Sequence, residues 1–200
     1  AVSLGYLVMQ AERTQNDLIQ EFIPVAGMRH LSLPDGSQVQ LNSKSTLLYP
    51  KQFTGKERCV YLVGEANFKV KPDKKHPFIV KSDDFQVTAL GTEFNVSAYP
   101  ENQEISTALL SGSVLVEWGN LTQRTVLQPD EQLTYDKENR QFRVVHPDMA
   151  DVTAWQRGEL VFNEMTVEDI IRVLERKYNY TFVYSLNQLK KDRLSFRFQD

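Results

Sequence analysis

Between Leu31 and Val145 the chain alternates apolar and polar residues in short runs. A two-residue period places every other side chain on one face of a strand, so each run predicts a half-buried β-strand. The clearest are Val39/Leu41, Cys59/Tyr61/Val63, Phe78/Val80, Phe85/Val87/Ala89, Phe94/Val96/Ala98, Ile105/Thr107/Leu109, Val114/Val116/Trp118, Leu133/Tyr135 and Phe142/Val144. On this pattern Cys59, sharing a face with Tyr61 and Val63, is expected to be a buried small hydrophobe. Turn-forming residues separate the runs at Pro34-Asp35-Gly36, Tyr49-Pro50, Lys71-Pro72-Asp73, Tyr99-Pro100-Glu101-Asn102, Trp118-Gly119-Asn120 and Gln128-Pro129-Asp130. Short strands at such spacing predict an all-β domain, either a sandwich or a β-helical stack of short antiparallel strands. Gly64, Gly91 and Gly112 each precede a similar alternation, and read either as the starts of stacked β-coils or as hairpin glycines.

Near Ala150 the period changes. Val167, Ile170, Ile171, Leu174 and Tyr178 fall on one face of a helix, with Thr166 as N-cap and Asp169 three residues on. Arg172, Arg176 and Lys177 sit where the helix dipole favours cations. Leu160-Val161-Phe162, Tyr180 to Tyr184 and Leu194 to Phe198 read as strands, so the tail predicts the start of a small α+β module of β-α-β-β order. The first ten residues, AVSLGYLVMQ, are apolar and too short to cross a bilayer, and read equally as the end of a membrane span or as a first strand.

Composition narrows the functional classes. At 200 residues, 41% hydrophobic and 24% charged, the chain is long enough for a sizeable core without disulfides. A net charge of −3 gives no general attraction to phosphate backbones or anionic membranes, so no nucleic-acid partner is expected. Cys59 is the only cysteine, which excludes an intrachain disulfide and a cysteine zinc site. His30, His76 and His146 have no ligand spacing, and no nucleophile elbow or phosphate loop is present, so neither catalysis nor a metal, nucleotide or other cofactor is expected. Asp83-Asp84 and Glu101/Glu104 are poor carboxylate pairs because adjacent strand residues point apart. The cluster Lys69, Lys71, Lys74, Lys75 and His76 reads as a solvated loop tip around Pro72-Asp73. Trp118, Trp155, Tyr99 and Phe198 read either as core caps or as a sugar-binding platform, which makes a periplasmic β-sandwich glycan-binding module the alternative function.

Leu33-Pro34-Asp35-Gly36-Ser37, Val39, Leu41-Asn42, Ser45, Tyr49-Pro50, Phe53 and Arg58 follow one another in an order that resembles the opening of FecR-type anti-sigma regulators. Gly64-Glu65-Ala66 with Phe68 and Val70, Pro77-Phe78 with Val80, Leu90-Gly91-Thr92 with Phe94-Asn95-Val96 and Tyr99, and Leu110 with Gly112 and Val114 continue the likeness. So do Trp155, Gly158 and Phe162 at the entry to the tail. The resemblance spans about residues 25 to 198. Two departures stand out: Gln40 at a frequent tryptophan, and Pro129-Asp130-Glu131-Gln132 for a Pro-Gly-Glu-Gln turn, where the turn type is open to change.

The resemblance implies three parts: residues 1–24 as the end of a membrane span and a juxtamembrane linker, 25–150 as the FecR-type all-β domain, and 151–200 as the first part of a C-terminal signalling module similar to the short N-terminal modules of secretins and TonB-dependent transducers. It further implies a periplasmic location, anchored in the inner membrane, and a sigma factor bound through a cytoplasmic segment outside this chain. The expected partner is the N-terminal signalling domain of a TonB-dependent outer-membrane transducer, whose nutrient signal frees an extracytoplasmic-function sigma factor. In the resembled module a strand like Leu194-Ser195-Phe196-Arg197-Phe198 is followed by further elements, so the sheet is expected to present an open edge here. Leu160, Phe162, Tyr180, Phe182, Leu194, Phe196 and Phe198 are the candidate partner-binding residues, with strand addition as the mode and self-pairing of the fragment into a homodimer as a side effect.

Overall fold

The computed structural model describes residues 18–183 and 193–198. Strands β1 (Leu18–Phe22), β2 (Arg29–Ser32), β3 (Gln38–Leu41), β4 (Thr46–Pro50), β5 (Arg58–Lys69), β6 (Phe78–Ser82), β7 (Phe85–Ala89), β8 (Glu93–Ala98), β9 (Glu104–Ser111), β10 (Val114–Trp118), β11 (Gln123–Leu127), β12 (Gln132–Asp136) and β13 (Gln141–Val145) form one curled sheet. The long β5 belongs to both halves of it. Its first residues pair with β4 and, in parallel, with β6, whereas Gly64 to Lys69 pair antiparallel with β8. The sheet therefore folds over on itself about the middle of β5, and the inward faces of the two halves close on a common core. Phe68 and Phe78 meet across it with ring centroids 6.0 Å apart, and Trp118 meets Phe142 at 4.7 Å.

Gly64 makes the fold-over possible. Its φ is +108, and a Cβ there would stand 2.7 Å from the Ser45 Cα, a backbone atom that cannot swing away. Gly91 and Gly112 also take positive φ, but they lie in the connections before β8 and β10, while Gly64 is inside a strand. The three are thus not equivalent starts of a stacked coil. Where the resembled family has a glycine, Asp130 keeps the left-handed conformation at φ +69. The turn is closed by Glu131, whose N–H donates to the Gln128 carbonyl and whose carboxylate accepts from the Gln128 N–H at 2.8 Å.

The start of β5 is pinned by Arg58, a buried arginine whose NH1 lies 2.7 Å from the Asp35 carboxylate. The same guanidinium donates to the carbonyls of Lys71 and His76 and lies over the Phe78 ring. One side chain thereby ties the Pro34-Asp35-Gly36 turn to the loop before β6, with the charge both paired and hydrogen-bonded, as burial requires.

Most predicted faces are observed: Phe85/Val87/Ala89, Phe94/Val96/Ala98 and Val114/Val116/Trp118 are all buried. The first half of β5 has the opposite phase. Val60 and Leu62 enter the core, while Tyr61 and Val63 are each 47% exposed and Cys59 is only half-buried. The run from Cys59 to Val63 is apolar at every position, so its period leaves the inward face undecided, and the pairing with β4 and β6 decides it. Phe142 and Val144 have the predicted phase but remain partly exposed, because β13 pairs only with β12. Leu18–Phe22, expected in the linker, is a strand paired with β4. Ala1–Gln10 lies outside the described residues.

After β13, the one-turn helix α1 (Met149–Val152) and a 3-10 turn (Ala154–Arg157) lead to β14 (Leu160–Thr166), α2 (Val167–Tyr178) and β15 (Arg193–Phe198). The Thr166 hydroxyl caps α2, accepting from the Asp169 N–H at 3.1 Å, and Asn179 ends it in the left-handed region. α2 lays Ile170, Val173 and Leu174 on Leu160 and Phe162 of the β14–β15 pair. Residues 180–183, expected as a strand, carry no ladder: they run exposed past the end of α2, where the Phe182 N–H donates to the Glu175 carboxylate at 3.0 Å. Tyr184 lies outside the described residues.

Candidate functional site

Inward alternation leaves the outer face of β5, β8, β9 and β12 polar, with Glu65, Asn67, Asn95, Ser97, Ser106 and Thr134 side by side across the ladders. The 3-10 turn and the C-terminal module sit over this face and leave a cleft of about 590 Å³. At its floor, the two oxygens of Glu65 accept from Asn42 Nδ2 at 2.8 Å and Asn95 Nδ2 at 3.0 Å. Asn95 Oδ1 in turn accepts from the Trp155 indole at 3.3 Å. Desolvation pushes the Glu65 carboxyl above the usual carboxylate range, against the two asparagine donors and the Arg176 charge, which favour ionisation. Tyr99 is buried beside it, and burial raises its phenol while its hydroxyl donates to the Ser43 carbonyl at 2.8 Å. Both Glu65 oxygens, the Asn95 amide and the Trp155 indole find their partners within the protein, so these bonds hold elements together.

The module's sheet is the second feature. β15 pairs antiparallel with β14, with Leu160 opposite Phe198 and Phe162 opposite Phe196, and a bulge at Asn163 and Glu164 before Met165 meets Leu194. All these apolar side chains share one face. Under α2, Leu160 and Phe162 are buried and form the module's core, whereas Leu194, Phe196 and Phe198 lie beyond the helix at 42%, 46% and 51% exposure. Phe196 extends the core outward, its ring 4.7 Å from that of Phe162. Among the described residues β15 has no neighbour on its other edge. Tyr180 and Phe182 lie in the segment after α2, where the Tyr180 ring stacks on that of Tyr178 at 6.3 Å. The candidate residues thus separate into a buried pair, an exposed apolar edge and two side chains beyond the helix.

The remaining candidates disperse. Trp118 is in the β-domain core, Tyr99 is buried with its ring face covered by the Arg176 guanidinium at 3.8 Å, and Phe198 is on β15, so no shared aromatic platform forms. The Pro72-Asp73 loop is organised by Asp73, whose carboxylate accepts from His76 Nδ1 at 2.7 Å and from the Lys75 backbone. These bonds, the His76 side chain's foremost, hold the Asp73 carboxyl down to about 2. Glu101 and Glu104 face arginines, Arg176 for the first and Arg143 with Arg193 for the second. Among the described residues no group of three or more His, Cys, Asp or Glu side chains is placed to hold a metal ion, and no helix is long and apolar enough to cross a membrane. Sequence reasoning missed Glu65 and Arg176 as structural partners. Glu65 has the polar phase of its strand and Arg176 the cationic end of its helix, and both patterns also describe solvent-facing residues.

The comparisons with known proteins converge on this architecture. The FecR protein family matches residues 22–115, and the family described as FecR, C-terminal matches residues 159–200. No curated protein sequence matches the chain. Two crystal structures of a candidate anti-sigma factor from Parabacteroides distasonis, at 2.50 and 1.65 Å, are similar to it at 33% and 32% identity. Each superposes with a TM-score of 0.86 over 90% of this chain and 84% of the other. With both parts matched in order and this share of a relative covered, the chain belongs to the FecR family.

Proposed function

We propose that this chain is the signal-receiving part of a membrane-anchored regulator of an extracytoplasmic-function sigma factor, and that it couples a TonB-dependent outer-membrane transducer to that factor from the periplasm. Membership of the FecR family and the likeness to a candidate anti-sigma factor support a sigma-factor regulator acting by binding rather than by catalysis. The observation that carries the mode of reception is the edge of β15. Its backbone groups face away from β14 without a partner among the described residues, and Leu194, Phe196 and Phe198 stand half-exposed beside it. Such an edge templates main-chain pairing, and alternate side chains fill pockets on the incoming strand. In this reading the transducer's N-terminal signalling domain adds a strand there, extending the apolar face that α2 covers only in part. An edge of this kind also lets two copies of this chain pair.

Proline at successive positions tests the mode, because neighbouring N–H groups of a strand point to opposite edges. Of Phe196→Pro and Arg197→Pro, one removes a ladder bond to β14 and destabilises the module, and the other removes only an outward donor. The second variant is expected to keep its circular dichroism and to lose affinity for the isolated transducer domain in titration calorimetry. Wild-type affinity in the variant that keeps its fold would rule out strand addition at this edge.

A further inference from the structure

The β domain and the C-terminal module each close an apolar core of their own, the first inside the curled sheet and the second around Leu160, Phe162 and Ile170. What joins them is polar. Arg176, in the last turn of α2, is only 6% exposed. Its NH1 donates to Glu101 Oε1 at 2.9 Å and to Asn102 Oδ1 at 3.1 Å, and its guanidinium covers the Tyr99 ring at 3.8 Å. Its backbone carbonyl accepts from the Ala26 N–H at 2.9 Å. Arg193 adds a contact to Glu104 at 3.1 Å, and Arg197 pairs with Asp151.

Ala26 lies in the loop that leaves β1. That loop is fastened to the same shell, because Ser43 Oγ donates to the Gly27 carbonyl at 2.8 Å and the Ile23 N–H donates to the Ser45 carbonyl at 2.8 Å. One arginine therefore holds the end of α2 against both the β8–β9 turn and the segment following β1. A pivot stands nearby. Gly158 has φ +81 with open space where a Cβ would be, while the 3-10 turn just before it stays fixed to the β domain through Trp155 and Asn95.

We propose that Arg176 is a reversible latch: it pins the module to the β domain, and its release lets the module swing about Gly158 and frees the loop after β1. Opening this contact uncovers charged and polar groups that water can satisfy, together with the face of the Tyr99 ring, and neither apolar core, so docked and undocked states are close in free energy. A partner that binds the module more tightly in one state shifts the balance. The latch is a property of this chain alone; its use to report docking at β15 toward β1 rests on the function proposed above.

Hydrogen exchange of the chain, followed by mass spectrometry, tests it without any partner. In Arg176→Ala, exchange in peptides covering Val25–Met28 and Tyr99–Gln103 is expected to rise about tenfold or more, as for loss of a charged hydrogen-bond set. Peptides from β5, β8 and the first turns of α2 should keep wild-type protection. Arg176→Lys, which lacks the planar fork and stacks poorly, should fall between the two. Glu101→Gln, which leaves α2 untouched, should move the same two regions in the same direction. Unchanged exchange at Val25–Met28 in Arg176→Ala overturns the latch. So does loss of protection throughout α2 or in β8, since that makes Arg176 a determinant of folding rather than of docking. A transducer that fails to bind leaves these outcomes standing, and a failed latch leaves docking at β15 standing.

Discussion

At the scale of single residues, a charge set against the folded sheet has a consequence that can be measured. Glu65 is the instructive case, because the backbone around it is fixed on both sides. Its N–H donates to Ser45 Oγ at 2.8 Å, its carbonyl accepts from the Asn42 N–H at 2.9 Å, and Gly64 beside it admits no side chain. The backbone holds the carboxyl at the floor of the cleft, where desolvation raises its pKa above the unfolded value. The folded state then binds this proton more tightly than the unfolded state. Stability contributed by the protonated group is present at the acid end and lost as pH rises through the raised native pKa. Urea unfolding across the weakly acidic range should show the wild type losing stability with rising pH relative to Glu65→Gln. Glutamine turns an N–H2 toward one asparagine donor and lowers the overall level, but it has no proton to release, so the difference in slope isolates the carboxyl. Parallel profiles would show that the Glu65 pKa is the same folded and unfolded.

At the scale of elements, α2 depends on its cap and its single covered face. Thr166 Oγ1 accepts from the Asp169 N–H at 3.1 Å and donates to the Asp169 carboxylate at 3.0 Å, which satisfies an otherwise orphaned donor of the first turn. Arg172 binds Glu168 and Asp169 on the same turn, at 2.5 and 3.2 Å, so the start of the helix is held by side chains of that helix. Thr166→Ala should therefore cost the module about 1 kcal/mol. Chemical denaturation followed by helical circular dichroism measures it, and a cost near zero would place the helix start elsewhere. The β14–β15 pair has the opposite character. Its apolar face is wider than α2, so the half covering β15 is left to another surface.

At the scale of the whole molecule, the two apolar clusters are separate and the contact between them is made of arginines, carboxylates and amides. The β domain should therefore fold without the module. A chain ending at Arg157, which retains the 3-10 turn and the Trp155 bond to Asn95, is expected to unfold cooperatively by heat with the strand signal of the full chain. A fragment that shows no cooperative transition would mean that the module completes the β-domain core.

Local pattern sufficed for much of this. A two-residue period bounded by turn residues is a property of the chain itself, and it located β3, β5 to β10, β12 and β13, while a capped amphipathic run located α2. It gave no run for β11 and read Tyr49-Pro50 as a turn, where pairing with β1 makes both residues part of β4. The order of the FecR-type motifs likewise named the family from residues alone. Local pattern failed where neighbours decide. Cys59 to Val63 is apolar in both phases, so only the ladders to β4 and β6 turned Val60 and Leu62 inward and left Tyr61 outside. β1 has no strong alternation, and became a strand by pairing with β4. The segment after α2 has strand-forming residues without a ladder to join among the described residues. Glu65 and Arg176 carry ordinary surface chemistry in the sequence, and the burial of Arg176 and the partial covering of Glu65 come from the packing of the module against a polar face of the β domain. Periodicity records which side of an element a residue occupies; what covers that side is a matter of long-range contacts, and only the tertiary structure supplies them.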